Sequence, residues 1–210
     1  MTDFEQCNVV DRLRSAKSLL IPKGEDMQPC IEGLAAVCGI EAPPYEDGRD
    51  ERKSLGVIFR YAKGIDIPNW VAEGWADGGV TGTDSLAESS RRYEIMSSAM
   101  TRSMCRYSLL VVEGNIDTLK NQLSRVVHGD QNTDRLEIPA TRPRLLEETR
   151  GELAIRAMDI AIRGSGELAI RLSKWGVGAD LVKTGKSARD AGLTEYKILS
   201  DVYPALVARI

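Results

Sequence analysis

The stretch Asp180-Leu-Val-Lys-Thr-Gly-Lys-Ser187 holds the residue types whose order best fits a chemistry. Asp180-Leu181-Val182 reads as a short buried strand bounded by turn residues. Thr184-Gly185-Lys186-Ser187 then turns the chain. Ser187 is placed to cap a helix through Ala188, Arg189 and Ala191, which Gly192 stops. A strand, a glycine turn and a helix start gather backbone N–H groups and two hydroxyls around one point. Unpaired amides and the positive end of a helix dipole suit a phosphate at that point. Asp180 cannot serve a phosphate, but its carboxylate can accept hydrogen bonds from sugar hydroxyls beside one. The pattern therefore suggests a phosphorylated sugar. A nucleotide P-loop is excluded, because that motif needs glycine five residues before Gly185, where Asp180 stands. An ordinary strand–turn–helix connection uses the same residues, and a short glycine motif alone does not separate these two readings.

The composition narrows the classes. A chain of 210 residues makes one large domain or two small ones. A formal net charge of −3 gives no global pull toward nucleic acid or an anionic membrane, so local cations and amides must hold any anionic ligand. No apolar run approaches the ~18 residues that span a bilayer, and residues 1–14 have no signal-peptide core. These features read as a cytoplasmic protein. The single histidine, His128, falls in a polar loop, which argues against a triad or a His-rich metal site. Cys7, Cys30, Cys38 and Cys105 show no metal-like pairing and read as reduced, mostly buried thiols.

The elements that must carry the turn alternate. Residues 1–15 form a short amphipathic helix or a loose arm. Strands are expected at 18–21, 55–60, 77–82, 107–112, 136–138, 158–163, 180–182, 197–201 and 205–210. Helices are expected after Pro29, with Met27, Ile31, Leu34, Ala35 and Cys38 in helical spacing, and at 66–75, 84–92, 116–127 and from Pro143. A further helix follows Gly164-Ser165-Gly166, with Leu168, Ala169, Leu172 and Trp175 on one face. Residues 47–53 read as a charged loop. The alternation argues for an α/β architecture with mostly parallel sheets. Trp75, Asp77 and Thr81-Gly82 echo Trp175, Asp180 and Thr184-Gly185, a hint of two similar lobes.

Several segments together resemble the ATP phosphoribosyltransferase family. Asp180 to Ser187, followed by Gly192-Leu193, is similar to the family's phosphoribosyl-pyrophosphate loop. Gly164-Ser165-Gly166-Glu167-Leu168-Ala169 resembles the segment before it. Asp66-Ile67-Pro68-Asn69-Trp70-Val71-Ala72-Glu73-Gly74, continued by Ala76 to Asp84, looks like the nucleotide-side signature. Pro22-Lys23-Gly24 matches the opening strand and turn, while Cys105-Arg106 and Ala140-Thr141 are weaker matches. The resemblance covers Ser18 to Ile210 in order. One departure is Glu25, where the family has Arg after Lys-Gly; Arg49 or Arg52 is a candidate to supply that charge.

The resemblance implies a two-lobed periplasmic-binding-protein-like (type II) α/β fold with an interlobe cleft, hinged near 95–105 and 180–188. Residues 1–15 would be an arm, 16–96 and 188–210 lobe I, and 97–187 lobe II. The implied reaction transfers phosphoribosyl from phosphoribosyl pyrophosphate to ATP and releases pyrophosphate, the first step of histidine biosynthesis. Thr184, Gly185, Lys186 and Ser187 would hold the 5′-phosphate. Asp180 and Glu167 would orient the ribose, Arg60 and Lys23 would meet the leaving pyrophosphate, and Gly82 and Asp84 would line the ATP side. Mg²⁺ would sit on pyrophosphate oxygens with few protein ligands. The chain ends where the family's short form ends. Short forms are similar to oligomeric catalytic subunits that work with a regulatory subunit resembling histidyl-tRNA synthetase. Taken without the resemblance, Arg60 is a solvated charge at a strand end and Glu167 a carboxylate serving a helix dipole. Trp70, Trp75 and Trp175 read as core rather than base-stacking residues. The competing functional classes are a two-lobed small-ligand-binding protein and a non-catalytic paralogue.

Overall fold

The computed structural model describes residues 3–23, 28–44, 51–128, 135–160, 162 and 164–210. Gly24, Glu25, Met27, Arg49 and most of the polar loop after His128 lie outside these. In chain order the elements are α1 (Asp3–Arg14), β1 (Ser18–Pro22), α2 (Gln28–Cys38), β2 (Glu51–Ser54), β3 (Val57–Ala62), α3 (Ile67–Ala72), β4 (Gly78–Gly82), α4 (Thr83–Glu88), β5 (Ile95–Ala99) and β6 (Cys105–Val112). They continue with α5 (Ile116–His128), β7 (Leu136–Ile138), α6 (Pro143–Thr149), β8 (Ile155–Ala157), α7 (Gly166–Leu172), β9 (Val177–Val182), α8 (Lys186–Asp190), β10 (Leu193–Val202) and β11 (Pro204–Arg209).

Contacts divide the chain into two compact units, residues 1–102 with 203–210, and residues 103–202. The sequence placed these divisions at 96/97 and 187/188. The difference at the second crossing comes from β10, which pairs along its length with β6 and so belongs to the second unit. Of residues 1–15, Asp3–Arg14 take the helical alternative. They form α1, whose Val9 and Leu13 are fully buried in the first unit.

The first unit holds a six-stranded sheet in the order β2-β3-β1-β4-β11-β5. Leu19, Leu20 and Ile21 are all buried, as expected of a strand with parallel neighbours and both faces covered. Those neighbours are β3 and β4. Ile67, Val71 and Ala72 of α3 pack with Leu20, Ala62, Ile95 and Val207 to cover one face. The second unit holds the three-stranded sheet β10-β6-β9 and the small pair β7-β8. Its core joins Leu110 of β6 and Val182 of β9 to Ile170 of α7 and Ala188 of α8.

Several expectations are corrected. The sheets are mixed, not mostly parallel: β2-β3, β4-β11, β5-β11, β6-β9 and β6-β10 are all antiparallel. The alternation hid this because only β2 and β3 are joined by a short turn, while the other four antiparallel pairs bring together strands distant in sequence. Of the charged stretch 47–53, residues 47–50 lie outside the described residues. From Glu51 it is an edge strand, where alternating polar residues face solvent. The strand expected at 158–163 lies earlier, at Ile155–Ala157, where it pairs with β7. Residues 95–99, expected in no element, form β5 against β11. The helix expected to run to Trp75 stops at Ala72, and the one expected to reach Arg92 stops at Glu88. On α7 the buried residues are Gly166 and Ile170, while Leu168 and Leu172 are 53% and 77% exposed. Trp75 is 65% exposed, its ring 5.6 Å from that of Trp70. His128 is the last residue of α5 rather than part of a loop.

The β2-β3 hairpin turns on Leu55 and Gly56, both left-handed, with φ of 47° and 85°. That conformation matches the twist of a two-residue hairpin but suits Asn or Gly at the first position. Leu55 is 79% exposed, so no packing compensates for it. Leu55→Asn should therefore raise the unfolding free energy by about 1 kcal/mol, as followed by denaturant unfolding.

Candidate functional site

The two outer strands of the second unit bring the turn Thr184 to Ser187 and its surroundings onto β6. In register, Asp180 lies opposite Ser108, Val182 opposite Arg106 and Gly178 opposite Leu110. Directly opposed residues of an antiparallel pair share a face, and here that is the face covered by α7 and α8. The helix α7 lies close on β9. A Cβ at Gly178 would overlap Ile170 and stand 2.7 Å from the Pro139 carbonyl oxygen. A Cβ at Gly166 would overlap Asp180 Oδ2 and come within 2.9 Å of the Thr141 methyl. Gly166 thus leaves the space that the Asp180 carboxylate occupies, and Gly178 lets Ile170 of α7 settle onto β9.

Asp180 is half-buried and its Oδ1 accepts two hydrogen bonds. One comes from Thr141 Oγ1 and one from the Leu181 amide, both at 2.7 Å. Thr141 is delivered by the chain after β7. Its amide donates to Ala179 O, and Ala140 bridges to Ala179 in parallel. Burial pushes the Asp180 carboxyl above the usual carboxylate range, and the charge of Glu167 adds to this, while Thr141, the Leu181 amide and Arg142 oppose it. Glu167 is the second residue of α7, just after Ser165, which has φ of 46°. A non-glycine residue held left-handed beside a site stores strain that only surrounding contacts maintain.

The turn itself follows β9. Gly185, left-handed at φ 73°, is the cap residue of α8, so the helix starts at Lys186 and Ser187 does not cap it. The Lys186 amide donates to Thr184 Oγ1 at 3.3 Å. Arg106 Nη1 donates to Lys183 O at 3.2 Å, and Arg189 Nη1 to Thr184 O at 3.3 Å. Arg106 is forked on Glu195, with Nε and Nη2 each 2.6 Å from a carboxylate oxygen, and Ser108 Oγ donates to the same carboxylate at 2.5 Å. The hydrogen bond from Arg106 holds Glu195 below the usual carboxylate range against its partial burial. Sequence reasoning placed Asp180, Glu167 and Thr184 to Ser187 together, and the structure puts them in one unit. It passed over Ser108, Arg142 and Glu195, and gave Arg106 and Thr141 no role. The signal available was Arg106, a cation inside the apolar strand Cys105–Val112, which requires a carboxylate nearby.

In the first unit Lys23, Gly82 and Asp84 come to one edge. The strands β1, β3 and β4 run in parallel, and β1 sits between the other two, so their carboxyl ends form a switch point of the kind that takes ligands. Lys23 follows β1 and its amide donates to Ala62 O. Gly82 caps α4, and Asp84 in the first turn of that helix is buried. Lys63, after β3, joins this edge and was not foreseen. Arg60 does not. Its guanidinium donates to Glu51 at 3.0 Å and to Ser18 Oγ at 2.6 Å, reaching back toward the start of β1.

Two mixed α/β units, the second carrying a half-buried carboxylate beside a glycine turn, define a protein of the type II periplasmic-binding-protein-like fold. The solved ATP phosphoribosyl transferase (HisG:HisZ) complex from Thermotoga maritima shares this fold, with a TM-score of 0.61 at 19% identity over 91% of this chain and 87% of that one. The model of the ATP phosphoribosyltransferase (HisG) family matches residues 63–210, and the chain belongs to that family. ATP phosphoribosyltransferases from Caldicellulosiruptor bescii and Sorangium cellulosum are 27% and 30% identical to it, each over 91% of this chain and over 88% and 84% of their own lengths.

Two outcomes are expected. Because the folded-state pKa of Asp180 is raised, its contribution to stability is complete below the ordinary carboxylate range and lost as pH rises through the raised value. Asp180→Asn should then unfold at the same or a higher temperature than the parent at about pH 8, with the gap closing toward about pH 4. Arg60→Gln breaks a pair that is about two-fifths exposed at both partners. It should lower the unfolding free energy by no more than ~1 kcal/mol and leave both substrate KM values unchanged. A turnover loss of about tenfold or more would return Arg60 to the reacting centre.

Proposed function

We propose that Thr184 to Ser187 hold the 5′-phosphate of phosphoribosyl pyrophosphate and that Asp180, with Glu167, orients its ribose. The reaction is the one that family membership gives this chain: phosphoribosyl is transferred to ATP and pyrophosphate is released, in the first step of histidine biosynthesis. The observation that carries the site assignment is the placement of Asp180. Among the described residues its hydrogen bonds end on Oδ1, while Oδ2 lies over the side-chain-free start of α7. A ribose hydroxyl donating to Oδ2 compensates the burial of the charge.

Positive charge builds on the ribose as the bond to pyrophosphate lengthens. Asp180 and Glu167 favour that charge electrostatically, and the turn fixes the phosphate end so that the anomeric carbon is held still. Lys23 is assigned to the leaving pyrophosphate, and Gly82 and Asp84 to the ATP side. Among the described residues no three His, Cys, Asp or Glu side chains converge as a metal site. Mg²⁺, which keeps phosphate oxygens and waters as most of its ligands, is assigned to the pyrophosphate oxygens of the substrate.

The chain is assigned to the cytoplasm; among the described residues no helix is long and apolar enough to cross a membrane. It is assigned a place in an oligomer with a regulatory chain similar to histidyl-tRNA synthetase. The HisG:HisZ pairing in the Thermotoga maritima complex supports this. The test is an assay of ATP with phosphoribosyl pyrophosphate, with and without that regulatory chain. Turnover should rise when it is added, and full turnover without it would count against the pairing. Asp180→Asn should weaken phosphoribosyl-pyrophosphate binding by roughly tenfold to a hundredfold, read by calorimetry on the folded variant. Unchanged affinity would remove the turn from the active site.

A further inference from the structure

A trans peptide bond points its carbonyl and the following amide in opposite directions. A turn can therefore present amides to a phosphate only if something receives its carbonyls on the far side. Here two guanidiniums do. Arg106 binds the Lys183 carbonyl and Arg189 the Thr184 carbonyl. These bonds turn the amides of Thr184 and Gly185 the other way, and among the described residues no acceptor meets either amide.

The two arginines differ in how they are held. Arg189 is exposed on α8 and reaches only four residues past Gly185. Arg106 is locked by the two-pronged contact with Glu195, and Glu195 is locked in turn by the fully buried Ser108. A register shift between Glu195 and Lys197 marks a bulge on β10 next to this carboxylate. Bulges re-aim side chains in this way near sites. The Glu195 carboxylate balances the Arg106 charge, so the guanidinium is poorly suited to act as a direct counter-ion. What remains for it is geometry.

We infer that Arg106, fixed by Glu195 and Ser108, is a positioning residue that turns the Lys183–Thr184 peptide so that the Thr184 amide faces the 5′-phosphate. This rests on the assignment of the turn as the 5′-phosphate site. Such a contact holds the phosphate equally in the ground and transition states, so its loss appears in KM and spares kcat.

The experiment uses Arg106→Lys, which keeps the charge but cannot span Glu195 and the Lys183 carbonyl with a planar fork. The KM for phosphoribosyl pyrophosphate should rise roughly tenfold to a hundredfold, while kcat and the KM for ATP stay within about twofold. In amide-resolved NMR, ribose 5-phosphate should shift the Thr184 resonance in the parent and not in the variant. Glu195→Gln, which keeps neutral hydrogen bonds to Arg106 and Ser108, should fall between the two and is read in the same way if Arg106→Lys does not fold. A folded variant with unchanged KM and an unchanged Thr184 response overturns the inference. If Asp180→Asn weakens binding while the Arg106 and Glu195 variants do not, the inference fails alone. If none of them weakens binding, the assignment of the turn fails with it.

Discussion

A carboxylate can sit half-buried on a strand only where donors reach it and no side chain fills its space. In this protein the closeness of α7 to β9 meets that condition, and the second unit is arranged around it. Gly166 and Gly178 carry no Cβ, so the helix settles onto the strand with Ile170 over Gly178 and its first turn over Asp180. The same approach carries Glu167 near Asp180 and leaves Ser165 left-handed at the start of the helix. A larger residue at either glycine would lift α7, and with it would go the packing of Ile170 against Leu110 and Val182. Core and site are therefore one constraint.

The parts of this arrangement that were legible in the sequence are local. Asp180 to Val182 read as a strand because its apolar pair is followed by a glycine turn, and Gly192 marked the helix end by its chemistry. The buried stripe of α2 was legible for the same reason: Ile31, Leu34 and Ala35 repeat at helical spacing and are buried. The stripe assigned to α7 failed because that helix has only seven residues. Over two turns, Leu168 and Leu172 form as regular a pattern as Ile170 does, and only the position of Gly178 decides which face is covered. The parallel sheet was misjudged on similar grounds. Strand order depends on long-range pairing, such as that of β10 with β6, which local periodicity does not encode. Arg106 and Glu195 lie 89 positions apart and meet only through that pairing.

The apparent echo between the two units shows how far a shared order of residues carries. In each, a strand runs into Thr-Gly and then a helix. In the first unit the strand β4 is flanked by β1 in parallel, and Gly82 is extended as it enters α4. Asp77 there accepts from the amides of Lys17 and Ser18 at 2.8 and 2.9 Å, so its carboxylate closes the start of the sheet. In the second unit Asp180 lies inside its strand rather than before it, and Gly185 is left-handed. In the first unit the strand starts after the acid and runs through Thr81-Gly82, whereas in the second it contains the acid and ends at Val182, so the acid is a backbone clamp in one and a group beside a turn in the other.

That contrast bears on why the second unit needs supporting side chains at all. The switch point of the first unit gathers the carboxyl ends of three parallel strands, and backbone topology alone brings Lys23, Lys63 and Gly82 to one edge. The sheet of the second unit is antiparallel, so the neighbours of β9 do not bring their own carboxyl ends to its turn. No convergence comes from the sheet. The amides of the turn must instead be oriented one peptide at a time, and each carbonyl turned away from a ligand must find a donor. Arg106 and Arg189 are those donors. A guanidinium placed on a strand to do this is itself a partly buried cation, which the carboxylate of Glu195 pairs and Ser108 in turn steadies. The orientation of one peptide is thus carried from a strand cation to its carboxylate and on to a buried hydroxyl.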